Sequence, residues 1–137
     1  MVDAIRDGDF LKMMECVYRG VAIDYETEDG MTALLRSTVE SDLESNSRNR
    51  EMGNKKAVDA VSFLLDRERN APTIDKVTKL GSALSFAAWH GRTYAMAELL
   101  NRGAPIGQRV QNGKTALIVA AVSGKIDSVR LLVERDA

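Results

Sequence analysis

One stretch of this chain returns 33 residues further on. Gly81-Ser82-Ala83-Leu84-Ser85-Phe86-Ala87-Ala88-Trp89-His90-Gly91 reappears as Lys114-Thr115-Ala116-Leu117-Ile118-Val119-Ala120-Ala121-Val122-Ser123-Gly124, so Leu84 and Leu117 stand one period apart. Self-similarity at this spacing marks a supersecondary unit that cannot bury its apolar face alone. It must stack on its neighbours, which predicts a solenoid and not a closed globule. A stack leaves one long surface free for a partner, and function is to be sought there.

The register reaches both ends of the sequence. Thr32-Ala33-Leu34 has the form of Ser82-Ala83-Leu84 and Thr115-Ala116-Leu117, but Leu34 lies 50 residues before Leu84, so this unit carries 17 extra residues. About fifteen fall in the hydrophilic stretch Asp42 to Lys56, and two follow Leu64-Leu65. At the N-terminus, Gly8 through Gly20 aligns with Gly124 through Asp136, so the sequence opens partway through a unit.

Each unit has a local logic. Thr32, Ser82 and Thr115 precede short apolar segments, where a hydroxyl accepts from helix N-terminal amides that otherwise lack partners. Ala87-Ala88 and Ala120-Ala121 allow close approach of neighbouring helices, and Gly91 and Gly124 allow a sharp turn. A second helix follows, its inward stripe built from Met96 with Leu99-Leu100 or Val129 with Leu132-Val133. Gly103 suits a left-handed cap and Pro105 stops continuation. The polar stretch from Ile106 to Lys114 then has the length of a protruding hairpin or extended finger.

This pattern resembles the ankyrin repeat family over nearly the whole chain. The family's opening pattern, Gly-x-Thr-Pro-Leu-His-x-Ala-Ala-x-x-Gly, is met by Gly113-Lys114-Thr115-Ala116-Leu117-Ile118-Val119-Ala120-Ala121-Val122-Ser123-Gly124. Two departures recur: the proline is Ala33, Ala83 or Ala116, and the histidine is Leu35, Ser85 or Ile118. The hydrogen bonds that the family's histidine usually makes are therefore expected to be absent. The resemblance implies an all-α, ankyrin-type solenoid of helix-turn-helix units with hairpin or loop fingers. Its units would be a partial repeat at 1–25, repeats at 26–75 and 76–108, and a repeat at 109–137 lacking the finger that would follow it.

Composition excludes several function classes. Nineteen Lys and Arg stand against twenty Asp and Glu, which argues against a strongly basic nucleic-acid binder. No apolar run of about 18 residues offers a membrane span. His90 and Cys16 are the only residues of their types, so a four-ligand Cys/His zinc site cannot be assembled from this chain. Asp24 to Gly30 has some likeness to a calcium loop, but its glycine falls one place late and Leu35 stands where a bidentate Glu is needed. With no nucleophile elbow, phosphate-binding loop or paired-histidine helix, neither catalysis nor a cofactor is expected. The lone Cys16 fits a reducing compartment, cytosol or nucleus, and its alignment with Leu132 predicts a core thiol.

The resemblance also places the binding surface. The family's variable finger and inner-helix positions correspond to Glu26, Glu28, Asp29, Met31 and Glu40, then Lys76, Lys79, Trp89 and His90, then Arg109, Gln111, Asn112 and Lys114. The surface would run from acidic to basic with an aromatic near its middle. It implies a protein partner of complementary charge, or another copy of this chain, held through salt-sensitive contacts. Trp89 is an interface anchor, or packs on a neighbouring repeat or on the Asp42 to Lys56 segment, and His90 stacks, titrates or simply faces solvent. A regulatory or targeting region of a larger enzyme is the other functional reading.

Two further features stand out. The segment from Asp42 to Lys56 is polar and rich in Ser and Asn, which predicts a mobile loop on the edge opposite the fingers, with Val39 and Leu43 extending the preceding helix. The last unit offers no clearly polar capping helix, as stack ends usually require, which suggests a longer array or a covering partner.

Overall fold

The computed structural model describes residues 3, 10–20, 26–38, 50–67 and 74–135. Their helices are α1 Phe10–Tyr18, α2 Ala33–Thr38, α3 Arg50–Arg67, α4 Ala83–Trp89, α5 Thr93–Asn101, α6 Ala116–Val122 and α7 Ile126–Glu134. Helices α2 and α3, α4 and α5, and α6 and α7 form successive pairs. The short helices stack in the order α2, α4, α6, and the outer ones in the order α3, α5, α7. None of the described helices is long and apolar enough to cross a membrane.

The hydroxyls at the helix starts act as the sequence predicts. Thr32 Oγ1 accepts from the Leu35 amide at 3.2 Å, Ser82 Oγ from Ser85 at 3.2 Å and Thr115 Oγ1 from Ile118 at 3.4 Å. Each satisfies an amide that has no intrahelical acceptor. In the middle pair the residue replacing the family's histidine has its own use. Ser85 Oγ accepts from the Ser82 amide at 2.9 Å and donates to the Ser82 carbonyl at 3.0 Å, closing a capping box. The position is thus bonded locally here, while Leu35 at the same register is buried in the core.

At the other end of α4, Gly91 adopts φ +70°, and the Gly91 and Arg92 amides donate back to Ala88 and Ala87. These paired bonds return the chain antiparallel into α5, and Gly124 repeats them with Lys125 before α7.

The core runs continuously between the pairs. Leu34, Leu84, Met96, Leu99 and Leu132 belong to one buried cluster, and Met13, Ala33 and Leu64 form a second with Val17 and Phe63 against it. Ala88 is fully buried, whereas Ala121, one period later, is exposed. The difference is tertiary, since α6 packs on the far side of α4 and, among the described residues, no further pair follows α6. Ala88→Leu is expected to cost about 1–3 kcal/mol by overpacking, while Ala121→Leu stays within about 0.5 kcal/mol. Urea denaturation of both variants decides this; equal losses would contradict the stacking direction.

Two sequence expectations are corrected. Residues 50–56, expected to be loop, are the first turns of α3. Hydrophilicity misled there: Glu51, Met52, Lys55 and Lys56 are good helix formers, and a helix already nucleated by its packed end extends backward at little cost. The expected helical extension through Val39 and Leu43 lies outside the described residues. Cys16, expected in the core, is only partly buried. The inward stripe of α1 runs instead through Met13, which is fully buried, and Val17 one turn later.

Candidate partner-binding groove

Three fingers project beside the short helices, and their turns differ. In the first, the Thr27 amide donates to the Met31 carbonyl at 2.9 Å; in the third, Val110 donates to Lys114 at 2.8 Å. The middle finger is one residue tighter. There Thr78 and Gly81 exchange both amide-to-carbonyl bonds at 3.0 Å, leaving only Lys79 and Leu80 at the tip. Gly81 supplies the φ of +103° that this turn needs. It also presents no side chain at the register where the neighbouring fingers carry Met31 and Lys114.

Neighbouring fingers are tied to one another. Gln108 Nε2 donates to the Asp75 carbonyl at 2.6 Å and Gln111 Nε2 to the Thr78 carbonyl at 3.3 Å, each across one period. Lys76 Nζ lies 3.5 Å from Glu26 Oε2, and Lys79 Nζ donates to the Glu28 carbonyl. Arg109 bonds within its own finger, donating to the Gly113 carbonyl at 2.8 Å. These exposed bonds add little stability each, but they fix the spacing of the row.

Between the middle and last fingers and helices α4 and α6 lies a groove of about 460 Å3. It brings together six of the sequence-predicted residues: Lys79, Trp89, His90, Gln111, Asn112 and Lys114. Trp89 is 49% exposed, a large apolar surface left open. Glu28 and Asp29 are exposed on the first finger, outside the groove, and Glu26 and Lys76 are engaged with each other. Met31 points inward and packs against both core clusters. Glu40 lies outside the described residues.

The sequence reading missed Leu80, Phe86, Val110 and Val119, which also line this groove. Phe86 was within reach, because it stands three residues before Trp89 and four before His90, on the same helical face. Leu80, Val110 and Val119 carried no such signal, because only the stacking of neighbouring units brings them to one groove.

His90 does not simply face solvent. Its ring meets Phe86 edge-on with centroids 4.7 Å apart, and burial, with the Lys125 ammonium, holds its pKa below the ordinary histidine value. The unfolded chain therefore binds this proton more readily than the folded one, and protonation favours unfolding. The urea midpoint should hold above pH about 6.5, the ordinary histidine value, and fall as the pH drops from there. The fall should be smaller in His90→Gln; equal pH dependence of the two chains would exclude His90 as its source.

A family model described as ankyrin repeats (three copies) matches residues 51–137. The chain belongs to the ankyrin repeat family. This ankyrin array is also 36% identical over 84 residues to the E3 ubiquitin-protein ligase XB3 of Oryza sativa subsp. japonica. That match takes in 58% of the array and 18% of the ligase, so the array spans less than a fifth of that relative's length.

Proposed function

We propose that this ankyrin array is a non-catalytic scaffold or adaptor module that holds a protein partner along its fingers and short helices. Ankyrin repeats are generally protein-interaction modules, and the observation carrying the finer reading is Trp89. The chain's only tryptophan lies half exposed in a groove framed by two fingers, and exposed aromatics of this kind dominate binding hot spots. The finger ties support the reading, because a surface fixed in advance loses less freedom on binding. The lone Cys16 suits a reducing compartment, cytosol or nucleus.

Affinity capture with the intact chain, followed by titration of the captured protein, tests this. Trp89→Ala should weaken binding by roughly 30-fold, the equivalent of ~2 kcal/mol for a hot-spot aromatic, with an unchanged circular dichroism spectrum. Unchanged affinity would exclude the groove as the binding surface.

The likeness to the ligase supports a second reading, in which the array is the regulatory or targeting region of a larger enzyme whose catalytic part lies elsewhere. A catalytic domain encoded on the same chain would establish it.

A further inference from the structure

The groove between the middle and last fingers has a definite chemical character. Lys114 stands on its last-finger side and Lys79 on its middle-finger side, with an ammonium that also donates to the Glu28 carbonyl of the first finger, and none of its lining residues is a carboxylate. Of the nearby acids, Glu26 is paired with Lys76, and Glu28 and Asp29 sit on the first finger, outside the groove lining. A third ammonium lies close by, because the Lys125 side chain runs beside Gly91, next to His90. Burial first, and the Lys125 ammonium second, lower the His90 pKa and leave the imidazole neutral at pH 7.

Alongside the charge lies uncovered apolar surface. Trp89 is 49% exposed and Leu80 39%, and both line the groove. Its volume lies within the range of ~300–1,000 Å3 that encloses small groups. That admits a few side chains of a bound segment.

We infer that the groove takes an acidic peptide segment of the partner, with a carboxylate near Lys79 and Lys114 and an apolar side chain on Trp89 and Leu80. This rests on the protein-binding reading above and specifies the partner's chemistry. The sequence implies a surface graded from acid to base; the Glu26–Lys76 pair lies outside the groove, whose own lining carries two lysines and no carboxylate. Charge complementarity supplies steering and specificity, and the apolar contact supplies most of the affinity.

Selection of a random peptide library displayed on phage, against the intact chain, tests both levels. The expected binders carry net negative charge with one Leu, Phe or Trp, and their affinity falls about tenfold in K79E/K114E. Selection on that double variant should recover basic sequences instead. Neutral or basic binders on the native chain that still need Trp89 would overturn the acidic partner and leave the groove standing. Binders indifferent to both Trp89→Ala and K79E/K114E, or a selection yielding no binder that needs Trp89, would overturn the groove as well. Self-association abolished by K79E/K114E would assign the groove to a second copy and overturn the peptide.

Discussion

Leu99→Ala is expected to lower the unfolding free energy by about 3–4 kcal/mol, as for fully buried leucines that leave a cavity. Leu99 is completely buried, on an outer helix stacked between α3 and α7. In a stack each pair draws its stability from its neighbours, so a void in the middle pair weakens two interfaces at once. For a domain of ordinary stability, ~5–15 kcal/mol, that is a large share of the total. Val133, expected on the inward stripe but exposed on α7, provides the contrast: Val133→Ala should change stability by less than about 0.5 kcal/mol. Urea denaturation followed by circular dichroism measures both. Leu99→Ala losing less than Leu132→Ala, which sits one period later on the last described pair, would sink the claim that the middle pair couples both sides.

The second large effect falls on a glycine. A Cβ added to Gly81 would sit 2.5 Å from Ser85 Oγ, too close for any real contact, and its φ of +103° is a conformation that side chains rarely adopt. Relieving the clash means turning the Ser85 hydroxyl away from the Ser82 amide and carbonyl. Backbone strain of about 1–3 kcal/mol adds to the loss of two bonds of about 1 kcal/mol each. Gly81→Ala should therefore cost about 3–5 kcal/mol. In a Ser85→Ala background the clash is gone and the strain alone remains, so the same substitution should cost at least 1 kcal/mol or so less. A double-mutant cycle measures the difference, and strict additivity would mean that the hydroxyl is not what the added carbon meets.

The order of the helices was legible because the repeat spells it out. Thr32, Ser82 and Thr115 announce three helix starts, and Gly91 and Gly124 announce two turns, through chemistry that acts within a few residues. The groove was only partly legible. Lys79, Trp89, His90, Gln111, Asn112 and Lys114 were found through the family's variable positions, and the structure gathers them in one place. Met31 was placed on the surface by the same reasoning and is a packing residue, because register names a position but not the direction of its side chain. The pairing of Glu26 with Lys76 lay beyond reach for a like reason. They stand 50 residues apart, and only the stacking of the fingers makes them neighbours.

By itself the sequence determined the repeat, the helix caps and the glycine turns, and with them a stack of successive helix pairs. These are local: each depends on residues within a turn or two of one another, and on a period that returns them to the same face. The tertiary structure decided which of two equivalent alanines is buried, which side chains of neighbouring units line one groove, and which charges pair across the fingers. Those outcomes depend on contacts one period or more apart, whose geometry exists only after neighbouring units have stacked.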